Sequence, residues 1–232
     1  MNLIYEGKAK KIFEAGKDKV VLYFKDDATA GNAAKKAQFE GKGALNCSIS
    51  ALLFEELHRQ YIDTHFIEKL SDREHLCQKV DIIPIEVIVR NVAAGTFCKR
   101  YGLEIGASLK NTVVEWCVKD DSLNDPPINT SAAVALGYAT EKQLRYMEDT
   151  AVEINAILSD IFEEVQLTLV DFKLEFGLNK DKDILLADEI CPDTLRLWND
   201  KNESFDKDLF RNDTGDLIEG YKRVEKLLKG EI

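Results

Sequence analysis

Alternation of apolar and polar side chains, the mark of strands with one covered face, runs through the first 24 residues. Residues 3–6, 9–13 and 19–24 read as strands, separated by turn-like Gly7-Lys8 and by residues 15–18. A polar loop is expected over residues 26–43. The spacing then changes to threes and fours at Leu45, Ile49, Leu52, Leu53 and Leu57, which predicts a helix over 45–61. The character shifts again near Val80 to Pro84, a candidate boundary between a smaller lobe, residues 1–80, and a larger one, residues 81–232. Residues 85–89 predict a strand continuing to Arg90, and 124–127 a plain loop. Thr140 with Gln143 fits a capping box that opens the longest helix. Its apolar positions Leu144, Met147, Ala151, Ile154, Leu158, Ile161 and Val165 form one core-facing stripe. A last helix is expected over 217–228. Strands and helices are segregated along the chain, not strictly alternating, so the fold class is read as α+β.

One run departs from the pattern of a buried strand. In LVDFKLEFG, residues 169–177, alternation puts Val170, Phe172, Leu174 and Phe176 on one face and Asp171, Lys173 and Glu175 on the other. A second strand-like run, residues 184–190, carries Asp188. With the turn at 179–183, antiparallel pairing sets Asp188 opposite or nearly opposite Glu175. Two carboxylates on neighbouring strands beside a lysine suit a magnesium ion holding nucleotide phosphates. A solvated sheet face laced with surface ion pairs would give the same spacing.

Composition narrows the setting. The 232 residues suit one large domain or two small, closely packed ones. Hydrophobic content of 45% and charged content of 31% are those of a soluble globular chain. A net charge of −11 argues against nucleic acid and anionic membrane as partners, while leaving room for a local basic pocket. No apolar run approaches the length of a membrane span, and the start of the chain lacks a signal-peptide layout. Cys47, Cys77, Cys98, Cys117 and Cys191 are scattered and odd in number, so they read as reduced thiols in a cytoplasmic protein. His58, His65 and His75 show no metal-ligand spacing.

Further cations gather around the acidic run. Gly7-Lys8-Ala9-Lys10-Lys11 is a glycine turn whose N–H groups and lysines could meet phosphate, although such turns are often merely solvated. The P-loop and G-x-G-x-x-G patterns are absent. Glu86 and Arg90 share one side of their strand and lead into a small-residue turn ending in Gly95-Thr96. Arginine, hydroxyl and free N–H groups there make a phosphate grip, and a Glu86–Arg90 ion pair is the competing reading. Arg196, Lys207 and Arg211 follow the second acidic run. No Ser-His-Asp set or nucleophilic cysteine signature stands out.

Taken together, these segments resemble the SAICAR synthetase family over essentially the whole length. The resemblance is carried by PIEVIVRNVAAGT (residues 84–96) and LVDFKLEFG, with YEGKAK at 5–10, Asp188-Glu189, Pro192-Asp193, Arg196 to Trp198, Asp206-Lys207 and Arg211. It implies a fold similar to the kinase and ATP-grasp plan, with two α+β lobes and ATP between them. It also implies an ATP-dependent ligase that joins L-aspartate to 5-aminoimidazole-4-carboxylate ribonucleotide (CAIR) through an acyl phosphate, with ATP and Mg2+ as cofactors and no protein nucleophile. By the same resemblance Lys8 and Lys10 belong to the phosphate-covering loop, the link from Gln78 to Asp81 (Lys79 and Val80 within it) faces adenine, and Glu175 with Asp188 bind ATP and the metal. Arg90, Thr96 and Arg196 then match positions around the ribonucleotide, with Lys207 and Arg211 nearby; Lys10, Lys173 and Asp171 are the catalytic candidates. Asp125, Asn129 and Ser131 are candidates for holding aspartate, and a homodimer is expected. Thr96 stands where many members have serine, Cys191 and Leu195 where polar residues are common, and Asn32 where some relatives have aspartate, a poor exchange for any cation role. The rival reading is a kinase-like phosphotransferase acting on a small molecule, but no histidine here begins an H-R-D motif.

Overall fold

A computed structural model describes residues 2–31 and 34–231; Asn32 lies outside them. The chain opens with three antiparallel strands, β1 (Leu3–Glu6), β2 (Lys10–Glu14) and β3 (Lys19–Phe24). A hairpin of β4 (Asp27–Ala30) and β5 (Lys35–Gln38) follows, and then helix α1 (Lys42–Arg59). The strands β6 (Phe66–Ser71) and β7 (Glu74–Gln78) return to the first sheet, giving the order β1-β2-β3-β7-β6. The second sheet is built on β8 (Asp81–Val92), with α2 (Gly95–Tyr101), β9 (Ser108–Val118), a 3-10 turn at Asp121–Leu123 and β10 (Pro127–Ile128) following it. After α3 (Thr130–Ala135) and the long α4 (Glu141–Glu164) come β11 (Thr168–Leu178), β12 (Ile184–Ala187) and β13 (Leu195–Trp198). Two helices close the chain, α5 (Asp208–Arg211) and α6 (Leu217–Leu228). The second sheet runs β10-β9-β8-β11-β12, with β13 also on β11.

The α4 stripe does what its spacing predicts. Thr140 accepts a hydrogen bond from the Gln143 N–H, and the Gln143 side chain accepts one from the Thr140 N–H. Leu144, Met147, Ala151, Ile154 and Leu158 are buried in one core with Val87 and Val89 of β8 and Phe172, Leu174 and Phe176 of β11. Helix α1 enters the same core through Ile49, Leu53, Phe54 and Leu57. It therefore packs on residues from both sides of position 80.

Five expectations need correction. The stretch expected as loop over 26–43 contains the β4–β5 hairpin, which lays Ala28, Ala30 and Ala37 on Leu45, Leu209, Phe210 and Tyr221; alanines alternate too weakly to signal a strand. Helix α1 starts at Lys42, three residues early, because Gly41 adopts a left-handed φ of 87° that turns the chain into the helix. The small-residue turn at 91–96 leads into α2, and the loop at 124–127 contributes a β10 strand to the sheet. The second acidic strand stops at Ala187, so Asp188 lies just beyond it, with φ 64°.

Candidate active site

Both β12 and β13 pair with the same edge of β11: β12 through residues 175–178 and β13 through residues 168–172. Between them the sheet edge is open, and residues 188–194 arch across it, tied by the Lys173 N–H to Thr194 O at 2.9 Å. The arch presents Asp188, Glu189, Asp193 and Thr194 toward the polar face of β11. That face is not solvated. Asp171 and Glu175 are each 3% exposed, which overturns the surface-ion-pair alternative. Glu175 pairs in register with Ala187 on one side and Glu86 on the other, so Asp188 falls one position from Glu175 across the ladder.

Buried carboxylates this close persist because lysines interleave with them. Lys173 Nζ lies 2.8 Å from Glu86 and 2.7 Å from Glu175, and Lys119 adds a second cation 2.8 Å from Glu175. Lys10 pairs with Asp188 and Glu189. Burial would raise the Asp188 carboxyl, but Lys10 and Lys173 outweigh it and hold the group down to about 2. For Lys173 burial acts to lower the pKa, yet Glu175 and Glu86 drive it well above the usual lysine value. Burial dominates at Glu86 and raises its carboxyl despite Lys173. At His65, whose Nε2 faces Asp188 O at 3.1 Å, burial pushes the imidazole down to about 4, so it is neutral at neutral pH.

This cluster lines a cavity of about 550 Å3 between the two sheets. One end is apolar, with Ile12, Val20, Leu22, Val80 and Ile82; the other carries Lys8, Lys10, Glu175 and Asp188. Gln78, Lys79 and Val80 form its wall where the chain passes between the sheets. Gly177 permits that crossing: a Cβ there would come within 2.8 Å of Val80 Cβ. Lys8 also reaches Asp121 across the mouth, at 2.5 Å.

A second cavity, about 520 Å3, shares Lys8, Glu86, Lys173, Asp193 and Lys207 with the first. Its floor is a chain of alternating charges. Asp171 accepts from Arg90 at 2.7 Å and from Arg196 at 2.8 Å. Arg90 Nε donates to Glu115 at 2.5 Å, and Arg196 Nε to Asp208 at 2.8 Å. Each guanidinium thus has Nε and Nη1 held by carboxylates, which leaves Nη2 as the edge for a ligand. Arg196 Nη2 lies beside Gly95: a Cβ there would meet it at 2.6 Å, and Gly95 has a φ of 57°. Thr96 and Arg211 complete this wall. Arg90 and Glu86 do not pair with each other as the competing reading supposed; each finds its partner on β11 instead.

The structure brings Lys10, Lys79, Val80, Glu175 and Asp188 to the first cavity and Arg90, Thr96, Asp171, Arg196 and Arg211 to the second, with Lys8, Lys173 and Lys207 at both. Of the three residues considered for aspartate, Asp125 lines both cavities, while Asn129 accepts from the Ala132 N–H as the cap of α3 and Ser131 is exposed on that helix. Sequence reasoning missed Lys119 and Glu115, and named Glu189 and Asp193 as carriers of the family resemblance without a role. The one signal for Lys119 was its place at the end of a long strand just before an acidic turn. Glu175 and Asp188 supply the oxygen donors Mg2+ prefers, and among the described residues no group of three or more metal-ligating side chains forms a protein cage. That donor set fits an ion taking its other ligands from phosphate and water, the usual habit of Mg2+. No helix among the described residues is long and apolar enough to cross a membrane.

Comparison with known proteins places these features. A family model described as SAICAR synthetase matches residues 3–228. A phosphoribosylaminoimidazole-succinocarboxamide synthase of Clostridium kluyveri is 56% identical over 224 residues, 96% of this chain and 95% of that one. The crystal structure of the synthase of the same name from Ehrlichia chaffeensis superposes with a TM-score of 0.96 at 43% identity, covering 98% of each chain. A SAICAR synthetase in complex with ADP superposes with a TM-score of 0.95 at 46% identity, covering 98% of this chain and 97% of that one.

Proposed function

The chain belongs to the SAICAR synthetase family, and we propose how its residues carry out that family's reaction. It is an ATP-dependent carbon–nitrogen ligase that joins L-aspartate to CAIR in purine biosynthesis. The kinase-like reading is not favoured. One observation supports the assignment of roles: two cavities meet at Lys173 and Lys207, one ending in lysine-paired carboxylates and the other in two arginines held by Asp171. ATP fits the first, with its base among Val20, Leu22, Val80 and Ile82 and its phosphates toward Lys8 and Lys10. CAIR fits the second, its phosphate taken by the free edges of Arg90 and Arg196 with Thr96 and with Arg211 nearby, and Lys207 stands at the end shared with the first cavity. Its carboxylate then points back to the shared wall.

A carboxylate resists attack by an amine because oxide is a hopeless leaving group. Transfer of the γ-phosphoryl group to a CAIR carboxylate oxygen releases ADP and gives an acyl phosphate. The aspartate amine attacks that carbon, the C–N bond forms, and phosphate departs. Lys10 and Lys173 offset charge on the transferring phosphoryl oxygens, and Asp171 keeps the arginines aimed. We assign Glu175 and Asp188 to Mg2+, which when bound supplies further positive charge to the phosphates. No side chain serves as nucleophile: burial pushes the one cysteine on the arch, Cys191, up to about 12. Lobes divided at residue 80, a homodimer and a cytoplasmic location belong to the same proposal, the last in line with five free, buried cysteines.

The test is phosphate release from ATP. It should require CAIR, aspartate and Mg2+ together, with succinocarboxamide formed in equal amount. Full-rate release without aspartate, or a phosphorylated or acylated enzyme trapped in its absence, would overturn the mechanism.

A further inference from the structure

Lys42 violates two local rules at once. It is the first residue of α1, where unpaired N–H groups leave partial positive charge, and the first turn of that helix holds no acidic residue. Its side chain is also completely buried. A buried cation at the positive end of a helix persists only beside a compensating anion. Here that anion is Asp193, whose Oδ2 lies 2.6 Å from Lys42 Nζ and whose Oδ1 accepts from the Tyr221 hydroxyl at 2.6 Å. Lys207 Nζ stands further off, 3.7 Å from Oδ2. Asp193 and Lys207 line both cavities, whereas Lys42 and Tyr221 approach Asp193 from behind, out of α1 and α6.

We propose that Lys42 is a positioning residue of the ligase: by satisfying Asp193 from behind, it leaves Lys207 free to turn its ammonium into the wall shared by the two cavities. The inference rests on the role proposed above for Lys207. The two distances define the division of labour. Lys42 makes a direct charge-assisted hydrogen bond to Asp193, while Lys207 is close enough to feel the carboxylate but is not fastened to it. Without Lys42, Asp193 would be a buried anion with a single cation in reach, and Lys207 would close onto it and leave the wall. Burial already opposes the charge on Lys207, and Asp193 sustains it against Lys42 and Arg211.

Lys42→Met keeps the apolar stem and removes the charge. Its kcat should fall about tenfold or more, with KM for ATP within about twofold, the split expected when an interaction made in the transition state is lost. The double variant K42M/D193N leaves no unpaired buried charge and no anion for Lys207 to close onto, so its melting temperature should return toward that of the unmodified chain and its kcat should rise well above that of Lys42→Met. A double variant that regains its melting temperature while kcat stays as low as in Lys42→Met would overturn the proposal, as would a Lys42→Met enzyme of undiminished kcat. Should Lys42→Met fail to fold, Tyr221→Phe decides: it removes one hydrogen bond and no charge, and a kcat lowered about two- to fivefold is expected where an unchanged kcat refutes. Lys207→Met is measured alongside. If it keeps full kcat, the role of Lys207 itself fails, a result separable from any failure at Lys42.

Discussion

Replacing Glu175 with Gln separates what its charge does for folding from what it does for turnover. The side chain is 3% exposed and its Oε1 accepts from Lys119 at 2.8 Å and Lys173 at 2.7 Å. Glutamine keeps the shape and one carbonyl acceptor but not the charge. A hydrogen bond to a charged partner contributes about 1.5–3 kcal/mol and a neutral one about 0.5–1.5 kcal/mol, so each lysine loses about 1 kcal/mol. Lys119 has a side chain 40% exposed and recovers part of its share from water, and Lys173 keeps Glu86 at 2.8 Å. The sum is about 2 kcal/mol, or a melting temperature lower by roughly 4–8 °C for a chain of this size. Turnover should suffer far more. Loss of one preorganised electrostatic group at transferring phosphate costs about 100- to 1,000-fold in kcat, and the Mg2+ concentration needed for half-maximal rate should rise. The assay is phosphate release with ATP, CAIR and aspartate saturating, repeated across a Mg2+ titration, beside a thermal melt. A variant that melts a few degrees early yet turns over within threefold of normal, with an unchanged Mg2+ requirement, would refute the metal role assigned to Glu175.

Three further outcomes are expected. Gly95→Ala places a Cβ 2.6 Å from Arg196 Nη2 at a φ of 57°, so KM for CAIR should rise about tenfold or more with KM for ATP unchanged; initial rates with each substrate varied decide it. Thr140→Ala removes the capping box of α4 and should cost about 1 kcal/mol, seen as a melt roughly 2–4 °C lower, with kcat untouched. Asp206 gives a pH signature. Burial first, and the charge of Asp208 second, push its carboxyl from the ordinary 3.8 up to about 7. The folded state therefore holds this proton longer than the unfolded chain, and stability should fall as pH rises from about 4 through about 7, then level off. Asp188 works in the opposite sense: held at about 2 against the ordinary 3.8, it adds stability above about 4 that is lost as pH falls through about 2. Melts from pH 4 to pH 8 should show the slope in the unmodified chain and lose it in Asp206→Asn; parallel curves for the two would remove Asp206 as its source.

How much of this was legible depended on whether the signal was local. Helix α6 over Leu217–Leu228 and the body of α4 followed from spacing alone, because their apolar stripes are strong and their caps lie within a few residues. The β4–β5 hairpin was not legible. Its alanines gain meaning only against Phe210 and Tyr221, far along the chain, and no local alternation announces that contact. The stop of β12 at Ala187 escaped for the same reason. A residue with φ 64° at Asp188 ends the ladder, and what holds it there is the arch to Thr194 together with Lys10.

The candidate site divides along the same line. The alternation of Asp171, Lys173 and Glu175 was readable because it is polar where a strand packed on both faces should be apolar; burial of those carboxylates then demands cations, and the only open question was which. Their partners come from far away: Lys10 lies 178 positions from Asp188, Arg90 lies 81 from Asp171, and Lys42 lies 151 from Asp193. No window of sequence relates such pairs. Lys119 and Glu115 look like ordinary polar positions of a strand and its following turn until β9 is set beside β8, which carries Arg90 and Glu86, with β11 on the far side of β8. Lys42 was legible in principle, since a lysine opening a helix that lacks acidic residues in its first turn is locally unfavourable. Such a violation persists when a distant carboxylate requires it. The local rules thus locate the residues that break them, and the folded sheet edge supplies the reason: beyond Lys173 on the strand itself, the cations its carboxylates need arrive from other segments, Arg90 from β8, Arg196 from β13 and Lys119 from just past β9.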